Sequence, residues 1–127
     1  DLINTAHDES EWNEWFAAGG FIHSEIPAIA VPGNHEYRGL NANRPRDKRE
    51  LSIQWNAQFG FPKNGPQELL KTCYYVDYPN LRVIALNSNR AIELQSQWLK
   101  KVLQENDKKM DRGNLPSPYL FCINGKR

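Results

Sequence analysis

The fold prediction for this chain rests on Ile26-Pro27-Ala28-Ile29-Ala30-Val31-Pro32-Gly33-Asn34-His35-Glu36. Residues Ile26–Val31 predict a short buried strand, apolar on both faces as strands of parallel sheets are. Pro32-Gly33 is expected to end that strand. Asn34-His35-Glu36 therefore follows the carboxyl end of a predicted strand, which is where open α/β sheets place their sites.

A helix is predicted before this segment. Asp8 can cap it, and Glu11 follows three residues later as in a capping box. Its aromatic residues Trp12, Trp15 and Phe16 recur on one face at helical spacing. Gly19-Gly20 is expected to end the helix.

Further elements are predicted after the segment, and they alternate between helix and strand, which makes the class α/β. The strand that begins at Leu81 is mostly apolar and is expected to be central, with Tyr119–Ile123 as the last strand. The buried stripe of the long helix is expected to be Leu94, Trp98, Leu99, Val102 and Leu103. Four elements are predicted between Glu36 and the last strand: a helix from Asp47 to about Phe59, strands Cys73–Tyr78 and Leu81–Asn87 with a tight turn at Pro79-Asn80, and a helix Ala91–Asn106.

Composition narrows the classes of partner. The 127 residues are 39% hydrophobic and 24% charged, which are ordinary values for one globular domain. The net charge of +1 gives no overall field toward nucleic acid or an anionic membrane. No apolar run approaches the roughly 18 residues of a membrane span. We therefore expect neither nucleic acid nor a membrane as a partner.

The two cysteines give no metal signal. Cys73 and Cys122 each lie in an apolar, strand-like run, and their spacing is not that of a zinc site. Buried thiols are the expectation for both, and they do not define a redox compartment.

Gly33-Asn34-His35 contains residue types suited to phosphate-ester chemistry. An amide oxygen such as that of Asn34 is a neutral hard ligand, which leaves a bound metal a strong Lewis acid. An imidazole beside it can protonate a leaving alkoxide. An isolated Asn-His pair in a loop is nevertheless more often structural, and Glu36 either orients His35 or a ligand, or simply belongs to the loop.

Gly33-Asn34-His35-Glu36 resembles the signature of calcineurin-like metallophosphoesterases, in the branch that contains the purple acid phosphatases. The resemblance implies that Asn34 binds a metal and that His35 is catalytic and meets the phosphate. Asp1 resembles the aspartate that bridges two metals in this family. The purple enzymes have a tyrosine three residues after that aspartate, whereas this chain has Asn4, so a non-purple site is expected.

The similarity continues along the chain to Leu120. It implies a partial metallophosphoesterase-type α/β sandwich with a mixed sheet, and residues 1–127 as a single partial domain. The downstream segments that carry it are Phe59-Gly60-Phe61-Pro62, Tyr74-Tyr75-Val76-Asp77-Tyr78, Val83-Ile84-Ala85-Leu86-Asn87-Ser88 and Gln95-Ser96-Gln97-Trp98-Leu99.

The implied function is hydrolysis of a phosphate ester by water activated at two metal ions, which are Fe, Mn or Zn. His35 and Arg38 are the expected substrate contacts, although a solvated loop is the favoured interpretation for Arg38 and its basic neighbours. A secreted or periplasmic location is implied by the resemblance alone, since the sequence has no signal-peptide pattern.

The histidine count suggests an incomplete site. The chain has histidines only at positions 7, 23 and 35, whereas the family uses an Asp-x-His motif upstream and two later histidine motifs. His7 could reach the site, but capping or exposure is favoured, and His23 has no assigned role. We therefore expect the chain alone to be inactive. The alternative to a phosphoesterase is a non-catalytic truncated fragment with an incomplete metal site. Unpaired sheet edges would favour self-association.

Overall fold

A computed structural model of the chain describes residues 1–37, 43–45, 48–79, 81–110 and 119–123. The described part is a small α/β domain, as predicted. Its elements are helices α1 (Glu9–Glu25), α2 (Ile53–Gln58) and α3 (Ile92–Met110), strands β1 (Tyr74–Tyr78), β2 (Leu81–Leu86) and β3 (Tyr119–Ile123), and a single 3-10 turn at Gln67–Leu69.

The three strands form a mixed sheet in the order β1-β2-β3. β1 and β2 are an antiparallel hairpin with Tyr75 opposite Ile84, and β2 pairs in parallel with β3, with Ile84 opposite Phe121. The central place predicted for β2 is confirmed, and four consecutive residues of this strand are buried. β3 spans the residues predicted for the last strand.

The strand predicted at Ile26–Val31 is wrong, because the structure assigns no strand to these residues. Pro27 and Pro32 lack the N–H groups that a ladder needs. The backbone of Ala30 is paired with a side chain instead: its N–H donates to the Tyr74 hydroxyl at 3.2 Å, and its carbonyl accepts from the same hydroxyl at 2.7 Å. Ile26 is 60% exposed, so the segment is not buried on both faces.

Helix α1 begins as predicted but ends later. The Asp8 side chain accepts the backbone N–H groups of Ser10 and Glu11. Gly20 does not stop the helix but kinks it, with φ 46° and ψ −126°, and the helix continues to Glu25. The His23 ring stacks on Trp15 with centroids 4.3 Å apart.

Gly19 makes that ring stacking possible. A Cβ at position 19 would lie 1.9 Å from the imidazole of His23. His23, predicted to lie in a connecting segment, is therefore a packed residue of the last turn of α1.

Helix α2 begins at Ile53, six residues after the start predicted at Asp47. Ser52 caps it by accepting the Gln54 N–H at 3.2 Å, so the capped start predicted at Asp47 is wrong for this helix, and Asp47 itself lies outside the described residues. The end at Gln58 agrees with the prediction. Helix α3 runs to Met110 rather than Asn106, with Val102 the buried member of its predicted stripe.

The core is a cluster of aromatic rings between α1 and α2. Trp12 and Trp55 are fully buried, and both lie against Phe59. Trp12 and Trp15, predicted to share one face of α1, pack against rings that come from α1 and the α2 region. The cluster reaches the sheet where Phe61 stacks on Tyr74 at 4.9 Å.

Trp98 belongs to the stripe of α3 that was predicted to be buried, but it is only half-buried. Its ring stacks on Tyr75 of β1 at 6.3 Å, and its Nε1 donates to the Asn64 carbonyl at 3.0 Å. Cys73 is a buried free thiol, as expected. Within the described ranges, no helix has the length and apolar character needed to cross a membrane.

Candidate functional site

The structure brings Asp1 and His35 together. The backbone N–H of His35 donates to Oδ1 of Asp1 at 3.0 Å, and its ring Nδ1 lies 2.9 Å from the carbonyl oxygen of Asn4. A carbonyl oxygen can only accept, so Nδ1 is the donor in this contact. The segment after Asp1 therefore lies directly against the Gly33-Asn34-His35 loop.

Glu36 fixes this arrangement from inside the protein. Its side chain is fully buried, and Oε1 accepts the N–H groups of Leu2 at 2.6 Å and Ile3 at 3.3 Å. Oε2 accepts the N–H of Gly33 at 2.5 Å. The carboxylate thus pairs backbone donors from both segments, and the loop role left open for Glu36 becomes a specific one. The sequence gives only a weak signal for this role of Glu36, because an acidic residue after Asn-His can have many other roles.

Glu11 holds the outer side of the same segment. The capping-box pattern predicts that Glu11 bonds back toward Asp8, but its Oε2 accepts the N–H groups of Asn4 at 2.6 Å and Thr5 at 2.7 Å. An open cleft of about 560 Å³ lies here, lined by Asp1, Leu2, Ile3, Asn4, Glu11, Glu14, Trp15 and His35. Asp1 and His35 are therefore accessible from one cleft.

Asn34 precedes His35 in the loop, but it is not among the described residues that line the cleft. Its side chain is half-buried. His7 and His23 do not line the cleft formed by the described residues, and His23 is stacked against Trp15.

The donor set does not fit a complete dinuclear metal centre. Among residues 1–37, 43–45, 48–79 and 81–105, no three His, Cys, Asp or Glu side chains are grouped so that they could hold a metal ion. Asp1 and Asn34 supply two hard oxygen donors, whereas each metal of such a centre needs about four ligands. We therefore derive no catalytic step that passes through a metal.

The basic residues predicted near the site are only partly described. Arg38 and Arg46 lie outside the described residues. Arg44 forms a 3.8 Å ion pair with the exposed Glu50, and Nε of Arg49 donates to the Arg44 carbonyl at 3.2 Å. These contacts agree with a solvated basic loop, which was the favoured interpretation of the sequence.

A buried polar network supports the loop from behind. Asn87 is fully buried, and its Nδ2 donates to the Tyr37 hydroxyl at 2.8 Å and to Thr72 Oγ1 at 3.0 Å. Asn89 donates to the carbonyl of Pro32 at 2.9 Å. Burial is the main cause that raises the pKa of Tyr37, so its hydroxyl stays protonated within the network.

Comparison with known proteins adds no relative: no family model, no curated protein and no solved structure matches this chain. The resemblance to metallophosphoesterases therefore depends on the sequence motifs alone.

Proposed function

We propose that this chain carries part of the active site of a metal-dependent phosphoesterase with a metallophosphoesterase-type sandwich fold. Asp1 and Asn34 would be metal ligands, and His35 would contact the phosphate ester. The observation that supports this most is the 3.0 Å hydrogen bond between Asp1 and His35, because it joins the two motifs that carry the resemblance. Fe, Mn or Zn would supply the activated water in a complete centre.

The residues of this chain account for cation binding and proton donation. Asp1 and Asn34 offer one carboxylate and one amide oxygen, which are hard donors. His35 has its Nδ1 proton engaged by the Asn4 carbonyl, so a second proton on Nε2 would be the one available to a leaving oxygen. This arrangement fixes the orientation of the ring before a substrate arrives.

Two buried or half-buried carboxylates support that orientation. Glu36 fixes Leu2 and Gly33, and Glu11 fixes Asn4, whose carbonyl holds the imidazole. Ligands are most effective when neighbouring groups hold them in place, so both acids would act as positioning residues.

Titration with Mn²⁺ tests the ligand assignment directly. The unchanged chain should bind Mn²⁺, detected as loss of the free-ion electron paramagnetic resonance signal, and Asp1→Asn or Asn34→Ala should weaken binding by about tenfold, equivalent to ~1.4 kcal/mol. Asn13→Ala, at an exposed position of α1, is the matched control and should bind as the unchanged chain does. Equal binding by all four chains would refute the assignment.

The small number of metal-ligand side chains among the described residues favours one alternative, a non-catalytic truncated fragment with an incomplete metal site. Hydrolysis of an aryl phosphate in the presence of Mn²⁺, Zn²⁺ or Fe²⁺ separates the two. We expect no turnover by the chain alone. Metal-dependent phosphate release that His35→Ala abolishes would show that the chain is itself a phosphoesterase and would exclude the alternative.

A further inference from the structure

Arg90 presents hydrogen-bond donors that nothing in the described part of the chain uses. Its Nε and Nη2 atoms are buried, and neither has a partner among the described residues. A guanidinium carries five N–H groups and a fixed charge, so buried donors left unpaired carry a substantial free-energy cost. A bound anion that reached these donors would offset that cost.

Arg90 borders a pocket of suitable size. The pocket has a volume of about 510 Å³, within the range of sites for small molecules. Lys63 and Lys71 also line it, together with two carboxylates, Glu50 and Glu68. Glu50 is paired with Arg44, and among the described residues Lys71 donates one hydrogen bond, of 2.8 Å, to the Asn56 carbonyl.

The guanidinium is held in place before any ligand binds. Its central carbon lies 4.9 Å from the centre of the Tyr37 ring, and the Arg90 carbonyl accepts from Gln95 Nε2 at 2.6 Å. Lys71 and Ala91 have positive φ values of 63° and 46°, which are uncommon for residues with a side chain. Lys71 lines the pocket and Ala91 follows Arg90 in the sequence. The backbone at the pocket is therefore strained at two positions, as is common at binding sites.

We propose that this pocket binds the phosphate group of a small phosphorylated molecule through the Arg90 guanidinium. A guanidinium fork matches two oxygens of a phosphate at once, and Lys63 and Lys71 add charge for a dianion. Asn56 and Gln67 line the same pocket and can meet hydroxyl groups of the rest of the molecule. No described residue lines both this pocket and the Asp1–His35 cleft, so the proposal is independent of the proposed function.

Inorganic phosphate is the probe for this site. In isothermal titration at constant ionic strength, the unchanged chain should bind phosphate. Arg90→Gln should lower the affinity at least tenfold, and Arg90→Lys should bind at an intermediate level because it keeps the charge but loses the fork. Lys100→Gln removes one exposed cation from α3 outside the pocket and should leave the affinity unchanged.

Stability without phosphate provides a second measurement. Arg90→Gln should unfold at a temperature no lower than that of the unchanged chain in phosphate-free buffer, since it removes unpaired donors, and should lose the upward shift that phosphate produces. The proposal fails if phosphate binds Arg90→Gln and Lys100→Gln equally well. It also fails if phosphate shifts the unfolding temperature no more than chloride at the same ionic strength. If Arg90→Gln does not fold, the phosphate affinity of Lys63→Gln is measured instead. The proposal fails if that affinity equals the affinity of Lys100→Gln.

Discussion

Glu36 Oε1 lies 2.6 Å from the backbone nitrogen of Leu2, although the two residues are 34 positions apart. The contact is partly buried, and the second oxygen of the same carboxylate accepts the N–H of Gly33. One acidic side chain therefore connects the segment after Asp1 to the loop that contains Asn34 and His35. The geometry of the candidate site depends on this connection.

Glu36→Gln should destabilise the chain by about 3 kcal/mol, because an amide NH₂ would face a backbone N–H and leave a buried donor unpaired. The change in the free energy of unfolding can be measured by urea titration. Glu105→Gln, at an exposed position of α3, is the matched control and should change stability by less than about 0.5 kcal/mol. Equal effects of the two changes would show that Glu36 does not connect the segments.

Gly20→Ala should destabilise α1 by about 1–2 kcal/mol, because alanine is strained at the positive φ of this kink. A Cβ at this position meets nothing within 4 Å, so the effect would come from the backbone alone. Gly60 is also open to a Cβ but lacks the positive φ, and Gly60→Ala should be neutral or slightly stabilising. Thermal unfolding of both variants gives the comparison, and equal unfolding temperatures would contradict the positive φ of Gly20.

Trp12→Ala should cost about 3–5 kcal/mol, since the ring is fully buried among Phe16, Trp55 and Phe59. Trp98→Ala should cost less, roughly 1–2 kcal/mol, because that ring is half-buried and contributes mainly one stacking contact and one hydrogen bond. Urea titration of each variant gives the comparison. A larger loss for Trp98→Ala would place the main core at the sheet.

Cys73 should make stability fall at alkaline pH. Burial raises the pKa of its thiol from 9.0 to about 12, so the unfolded chain releases the proton first. The stabilisation is complete below pH 9.0 and is lost as the pH rises toward 12. In a Cys122→Ser background, which leaves Cys73 as the single thiol, ultraviolet thiolate absorbance reports the titration. Titration near pH 9.0 in the folded chain would contradict the burial of Cys73.

Sequence patterns predicted the regular elements best where one face is buried. The hairpin, the central β2 and the long α3 all follow from runs of apolar residues, and the structure has them nearly where the pattern placed them. Ile26–Val31 has the same apolar character but forms no strand. Pro27 within it and Pro32 after it lack an N–H group, and the Tyr74 hydroxyl pairs with the backbone of Ala30 instead. Hydrophobicity alone does not record which backbone donors will find partners.

The candidate site was predictable only as residue types. Asp1 and His35 do meet, but the acids that hold them, Glu36 and Glu11, act through backbone N–H groups distant in the sequence. Contacts of that kind depend on tertiary placement, and no local spacing encodes them. The buried role of Asn87 was hidden for the same reason, since its partners Tyr37 and Thr72 come from other segments.

The Asn87 amide has a consequence for hydrogen exchange. Its side chain holds Tyr37 and Thr72, its own N–H donates to Gln95 at 2.8 Å, and its Oδ1 accepts from the N–H of Asn89. None of these segments can separate from the others without exposing the same buried amide. The slowest amide protons of these segments should therefore exchange with deuterium at one common rate. The segments would then open as a single cooperative unit, although they lie in four separate parts of the sequence.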